Sequence, residues 1–333
     1  MIKEGFIMLS IQETRTRVFR IARGRVRRST GLFSLLSALL IASLSPAIAD
    51  DAPFSELVVF GDSLSDTGNV YLATQSQLPP SPLYFDGRFS NGPVWHEVLA
   101  EWLGVAPAAP SLSGGTNFAW GGAETGSGMS LFGTPNLGDQ IGLYLSMSAP
   151  RPGQLFVVAG GGNDILPPGP IRAPEEIVAN IVSHVETLVG AGAQSILVIN
   201  IPALEKSPEI TALGKDAAKA ARKATRKANV LLKNAIRDLE RDLKRSGFRG
   251  DIFFVDVYRP WRALLAHPTF IGVEDTTGTA IDPPQCPPCL GEVADDPNTY
   301  FWFDTVHPTA PVHEATGKLV VWNVKLQMTA GRR

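Results

Sequence analysis

The stretch Val58–Asn69, "VVFGDSLSDTGN", sets a run of strand-forming residues against an abrupt Gly-Asp-Ser and then a second Asp. An apolar run that breaks at Gly-Asp-Ser is how a chain exposes a hydroxyl at the end of a buried strand. Ser63 is therefore a candidate nucleophile. Ser and Asp are also the preferred residues at helix N-termini, where their oxygens accept the unpaired N–H groups of the first turn. Taken alone, the stretch fits either role. The rest of the chain must supply a base and donors for an oxyanion.

The same strand-then-helix grammar recurs outward from this stretch. Strand candidates are "ELVVF" (56–60), "QLFVVAG" (154–160), "SILVINIP" (195–202) and "DIFFVDV" (251–257). Short apolar runs alternating with helical patterns are the signature of parallel strands joined by crossover helices. An α/β fold with a mainly parallel sheet is expected. Between the second and third runs, "APEEIVANIVSHVETLVGAGA" reads as a helix with Glu in its first turn and Gly at its end, so its "GAGA" is a helix C-terminus feeding a strand rather than a phosphate cradle. Residues 214–246 carry 11 Lys and Arg against 4 acidic residues. Ala217, Ala221, Ala224, Ala228, Leu231, Ala235, Leu239 and Leu243 recur there at helical spacing, predicting a surface helix with a solvated basic face. Residues 258–300 are rich in Pro, Gly and Asp and read as a long functional loop. A closing helix follows in "HEATGKLVVWNVKLQM".

With 333 residues, 44% hydrophobic and 19% charged, the composition is that of a globular chain able to bury a substantial core. Its first 49 residues differ from the rest. Arg15, Arg17, Arg20, Arg23, Arg25, Arg27 and Arg28 precede "GLFSLLSALLIASL", and Ala47-Ile48-Ala49 follows. A basic region, a short apolar region and an A-x-A site make a secretory signal, expected to be cleaved after Ala49. The alternative is an N-terminal anchor helix, for which the apolar run is short. Met8 is an alternative start, and Arg27-Arg28 an imperfect twin-arginine export signal. This reading gives 1–49 as the signal, 50–333 as the mature domain, and a secreted or periplasmic location. Removing residues 1–49 takes away 8 Lys and Arg and 2 acidic residues, leaving 22 against 30 and a net charge of −8. Such a chain has no global attraction to nucleic acid or anionic membranes. Cys286 and Cys289, in "PPQCPPCLG", lack a second ligand pair and so argue weakly for zinc, which needs four ligands. A short-loop disulfide is the favoured reading, with a redox-active pair as the alternative.

The base must come from His96, His184, His267, His307 or His313. His184 sits mid-helix and His96 lies in "VWHEVLA", so both read as packing or surface residues. His307 lies in "FWFDTVHPTAP". Asp304, three residues earlier, can fold back to accept the imidazole Nδ1–H, leaving Nε2 to take a proton from a hydroxyl. Donors for an oxyanion are offered by "GGTNFAWGGAETG" (114–126), where glycines let a backbone N–H approach a ligand, and by "VVAGGGNDIL" (157–166), where Asn163 adds a side-chain amide. Each segment alone also fits a turn.

In this order the segments resemble the GDSL family of SGNH hydrolases. "FGDSLSDTGN" resembles the family's first block, with Ser63 matching the nucleophile. "NFAWGGA" is similar to the second, with Gly122 matching the backbone oxyanion donor. "GGGNDI" resembles the third, with Asn163 matching the side-chain donor. "FDTVHPT" resembles the fifth, with Asp304 and His307 completing the triad, and "GRFSNGPVW" (87–95) resembles a segment near the family's substrate cleft. The resemblance spans about residues 55 to 320. It implies a three-layer α/β/α, flavodoxin-like fold and ester hydrolysis through an acyl-enzyme. The implied oxyanion donors are the N–H groups of Ser63 and Gly122 with the Asn163 amide, and no metal or cofactor is implied. Implied substrates are acyl esters or lipids, with transient contact with a lipid surface left open. The full pattern is more similar to the larger lipase and acyltransferase branch, so transfer to an alcohol is an alternative outcome. Two other classes stay open: a secreted binding protein that keeps the fold without catalysis, and a nucleic-acid module built on the 214–246 helix, which the mature charge disfavours.

Overall fold

The structure, a computed structural model, describes residues 53–282 and 291–331. The signal reading of residues 1–49 and the Cys286–Cys289 pair lie outside the described residues. All four strand candidates form: β1 (Glu56–Gly61), β2 (Gln154–Ala159), β3 (Ser195–Ile199) and β4 (Asp251–Val255), paired parallel in that order. Along β1, Val58, Val59 and Phe60 are fully buried. Consecutive burial of this kind requires cover on both faces of the sheet, and each such side chain contributes roughly 1.5–3 kcal/mol of transfer free energy.

The other edge of β1 is not bare. Residues 116–120 run alongside it: Val59 N–H donates to Thr116 O (3.0 Å), Phe118 N–H to Val59 O (2.7 Å) and Trp120 N–H to Gly61 O (3.1 Å). Counting this segment, the spatial order in chain numbering is 2-1-3-4-5. The chain therefore reverses direction across the sheet at β1, and the crevice at a strand's carboxyl end beside such a reversal is where α/β sheets bind ligands. Ser63 stands two residues beyond β1.

The helices are α1 (Asn69–Ala73), α2 (Trp95–Leu103), α3 (Leu137–Met147), α4 (Pro174–Gly190), α5 (Pro208–Ala212), α6 (Lys215–Arg245), α7 (Tyr258–Ala266) and α8 (Ala310–Gly331). α4 packs against both α3 and α6, and α2 packs against α8. These two sets are the outer layers of the expected α/β/α arrangement. Among the described residues, no helix is long and apolar enough to cross a membrane.

Two readings need correction. The buried face of α6 is Ala221, Ala224, Thr225, Ala228, Asn229, Leu232 and Ile236, whereas Leu231, Ala235, Leu239 and Leu243 are only half-buried. The apolar stripe omits Asn229 because Asn is polar, yet its amide brackets the end of β3, accepting from Ile201 N–H (3.0 Å) and donating to Ile201 O (2.8 Å). The described residues of the 258–300 stretch also form more regular structure than a loop. They hold α7, β5 (Asp275–Thr279), β6 (Ile281–Asp282) and β7 (Glu292–Val293), and end at β8 (Tyr300–Trp302); β5 pairs with β8 and β6 with β7. Elements this short, spaced by Gly and Pro, leave little periodicity to read.

Candidate active site

The turn after β1 is fixed from below. A Cβ on Gly61 would lie 2.6 Å from Ala159 O on β2, so no side chain fits there while the strands stay paired. Gln140 on α3 clasps the same residue, accepting from Gly61 N–H (2.9 Å) and donating to Gly61 O (2.9 Å). The chain then folds over Asp62: Ser65 N–H and Asp66 N–H donate to Asp62 O (2.9 and 3.0 Å), and Leu64 N–H to Asp62 Oδ1 (3.0 Å). Burial pushes the Asp62 carboxyl up to about 6. Ser63 is held at the apex.

The second acid of the stretch has a different task. Asp66 accepts from Gly68, Asn69 and Val70 N–H (2.7, 2.6 and 3.2 Å), which caps α1, and from Gly121 N–H (3.1 Å), which ties the Ser63 turn to the 116–122 segment. Asn69 and Asn117 lace the same two segments. Asn69 Nδ2 donates to Asn117 O and Ala119 O (2.8 and 2.9 Å), and Asn117 Nδ2 to Ser65 O (2.7 Å). The capping role raised by the sequence thus belongs to Asp66 and leaves Ser63 free of it.

His307 approaches from the loop after β8. Its Nδ1 lies 2.7 Å from Asp304 Oδ2 and its Nε2 2.8 Å from Ser63 Oγ. A carboxylate can only accept, so Nδ1 carries the hydrogen and the Nε2 lone pair accepts the Ser63 Oγ–H. Asp304 also accepts from Tyr84 Oη–H (2.7 Å), His307 N–H (2.7 Å) and Val306 N–H (2.9 Å). Burial opposes its charge, but His307 and these hydrogen bonds outweigh burial and hold the carboxyl at about 2. The 87–95 segment props this loop: Phe89 packs on the His307 ring with centroids 5.0 Å apart, and Ser90 Oγ–H donates to Pro308 O (2.9 Å).

Ser63, Gly122, Asn163 and His307 all line one cleft of about 500 Å³, whose walls include Val70, Leu78, Phe89, Trp120, Phe132 and Leu166. Gly122 sits at φ +79°, and a Cβ there would meet the Phe132 ring at 2.7 Å. Asn163 Nδ2 donates one hydrogen to Ala123 O (2.9 Å), which leaves the second for a ligand. Asp164 accepts from Thr125 N–H (2.9 Å) and Oγ1–H (2.7 Å), and Arg172 bridges Asp164 (2.9 Å) and Glu124 (2.5 Å). The 122–125 and 163–164 segments are therefore fixed to one another. A hydroxyl bonded to an imidazole, beside backbone and amide donors in an apolar cleft, is equipped for acyl chemistry.

A family model for GDSL-like lipases and acylhydrolases matches residues 57–320. The chain belongs to this GDSL family. It is 34% identical over 172 residues to the phosphatidylcholine-sterol acyltransferase of Aeromonas hydrophila, covering 50% of this chain and 51% of that one. It therefore spans about half the length of that relative. A GDSL esterase/lipase of Arabidopsis thaliana is 27% identical over 333 residues, with 83% of this chain and 90% of the relative covered. Among solved structures, the aryl esterase of M. smegmatis superposes with a TM-score of 0.44 at 16% identity, covering 83% and 99% of the two chains.

The other four histidines of this GDSL protein do not line the cleft that holds Ser63. His96 and His184 are both buried rather than on the surface, each with Nε2 donating to a backbone carbonyl: Ser65 O (2.9 Å) for His96 and Thr125 O (2.7 Å) for His184. Burial and the nearby imidazoles of His307 and His96 hold His313 down to about 3, so it stays uncharged. Among the described residues no cluster of His, Cys, Asp and Glu is arranged to hold a metal ion. Tyr84 and Gln140 carry no motif signal, because their partners Asp304 and Gly61 lie 220 and 79 positions away; Asp164 falls within "GGGNDI", but its tie to Thr125 spans 39 positions.

Proposed function

We propose that the chain is a serine esterase/lipase that cleaves carboxylic ester bonds through an acyl-enzyme. The observation that carries this reading is the hydrogen-bonded series Ser63 Oγ, His307 Nε2, His307 Nδ1, Asp304 at the base of an apolar cleft. Ser63 Oγ attacks the ester carbonyl carbon while its proton passes to His307 Nε2. Negative charge then develops on the carbonyl oxygen, facing the N–H groups of Ser63 and Gly122 and the Asn163 amide. Collapse of the tetrahedral adduct expels the alcohol, which takes the proton from His307. Water attacks the acyl-Ser63 with His307 again as base, and the acid leaves as Ser63 recovers its proton. Asp304 holds the tautomer and stabilises the imidazolium.

Similarity to an acyltransferase over half of the chain supports a second outcome at the same site, in which an alcohol replaces water in the last step. An acyl-chain series with and without an added alcohol acceptor separates the two. Residues 1–49 act on this reading as an export signal that leaves a domain of 50–333, which N-terminal sequencing of the exported protein would test. The catalytic reading predicts turnover of a p-nitrophenyl ester by the wild type, and loss of roughly 10⁴–10⁶-fold in kcat for Ser63→Ala with an unchanged melting temperature. Retention of more than a few per cent of kcat would defeat it.

A further inference from the structure

Two of the segments that line the cleft carry no charge, while Glu209 is the one acidic residue among the described residues of its lining. Between Glu124 and Asp139, and again between Asp164 and Arg172, the chain holds no Asp, Glu, Lys or Arg. Arg172 and Glu124 at these borders are turned onto each other (2.5 Å), so their charge is spent internally. The first segment forms a hairpin, closed by the Met129–Pro135 bridge and by Ser130 N–H donating to Thr134 O (2.8 Å). Thr134 Oγ1–H pins it to Gly121 O (2.8 Å), beside the cleft. At its tip Met129 is 65% exposed, Leu131 65% and Phe132 59%. On the facing segment Ile171 is 40% exposed, and Leu131 Cδ1 lies only 3.1 Å from where a Cβ on Gly169 would sit, so the two lips meet.

Three large apolar side chains on one short hairpin are unfavourable in water unless something covers them. Here the hairpin continues directly into the cleft, because Phe132, Gly133 and Thr134 are part of its wall. We infer that this hairpin is a docking surface for the uncharged, aggregated lipid that carries the ester substrate, so that an acyl chain passes from the lipid surface into the cleft without crossing water. The inference deepens the esterase reading and rests on it. The absence of charge on both lips selects the apolar interior of a lipid surface over an anionic head group, and apolar insertion of this kind scales with the area buried.

The test uses the full chain with phosphatidylcholine vesicles, and the double variant Met129→Ser/Leu131→Ser, whose two positions lie outside the cleft lining. Wild-type protein should float with the vesicles equally well at low and high salt, and the variant should lose about tenfold or more in partitioning. Turnover of a soluble short-chain p-nitrophenyl ester should be unchanged in the variant, while turnover of an emulsified long-chain ester should fall by about the same factor as partitioning. Equal loss on both esters would mean that the hairpin supports the site itself. Absence of flotation, or flotation that salt abolishes, would overturn the inference, the latter transferring binding to the basic face of α6. Failure of the wild type to cleave the soluble ester would instead defeat the esterase reading, and flotation would report separately on docking.

Discussion

The turn beneath Ser63 and the hairpin above it face the same cleft with opposite chemistry. Below, Asp62, Asp66, Asn69 and Asn117 are buried polar residues whose atoms are matched to backbone partners. Above, Met129, Leu131 and Phe132 are apolar and mostly exposed. A buried carboxylate or amide tolerates only one arrangement of its partners, whereas an apolar tip constrains little beyond polarity. On the proposed reading, the difference separates catalytic groups, which must be held to fractions of an ångström, from a surface that meets substrates of varied shape.

The largest expected effect breaks the lower region at its charge. Asp304→Asn keeps the shape of the side chain but removes the acceptor that fixes the His307 tautomer, so kcat should fall by about 10⁴-fold. Steady-state kinetics on a p-nitrophenyl ester, beside a circular dichroism spectrum of the variant, measure this. A loss below tenfold would mean that Asp304 does not govern His307. Next comes Asn163→Ala, which on the proposed mechanism removes one oxyanion donor at the border between the two regions. It should lower kcat by roughly 10²–10³-fold with little change in KM. A change confined to KM would make Asn163 a binding group for the ground state.

How much of this was legible depended on the range of the interactions. The four strands and Ser63 are readable because an apolar run and the glycines and acids that stop it are adjacent in sequence. Asp304 and His307 are likewise three residues apart, close enough for the pattern itself to suggest the bond. Tyr84 donates to Asp304 across 220 positions, and nothing near Tyr84 signals that partner. Asp66 is half legible: its bonds to residues 68–70 follow from the preference of Asp for helix starts, but its bond to Gly121 spans 55 positions. Asn229 on α6 was hidden by its own polarity, since a stripe sought among apolar residues skips a buried amide. Gly122 and Asn163 were marked by their glycine-rich settings, and their cross-tie through Asp164, Thr125 and Arg172 was visible only in three dimensions.

Asp66→Asn tests whether the lower region owes its rigidity to that half-legible acid. The substitution replaces one acceptor oxygen with an N–H₂ group that faces backbone donors. With four N–H groups bonded to the carboxylate, a loss of about 2–3 kcal/mol in unfolding free energy is expected. Chemical denaturation checks it. A loss below half a kcal/mol would show that the turn is held without Asp66, by the Asn69 and Asn117 ties alone.

The smallest effect sharpens the comparison at Tyr84, a buried ring whose hydroxyl serves the charge of Asp304. The Asp304 carboxyl stands at about 2 in the folded protein against an ordinary value of 3.8. A depressed acid stabilises the fold above its unfolded value, and that contribution fades as pH falls through the folded value, so here it is complete above about pH 4 and lost toward pH 2. It amounts to roughly 2–3 kcal/mol at neutral pH. Asp62, raised to about 6 by burial, works in the opposite sense: its contribution is present below the ordinary value of 3.8 and is lost as pH rises through about 6. The two windows do not overlap. Tyr84→Phe removes one hydrogen bond to the Asp304 carboxylate, so the carboxyl should rise from about 2. The variant should lose about 1–2 kcal/mol at neutral pH and up to about tenfold in kcat/KM. Unfolding titrations at a series of pH values should show the gap between wild type and variant steady above pH 5 and shrinking toward pH 2, as protonation removes the charge that Tyr84 serves. A gap that stays constant down to pH 2 would mean that Tyr84 acts through packing alone, and the site would then rely on His307 and the backbone to keep Asp304 ionised.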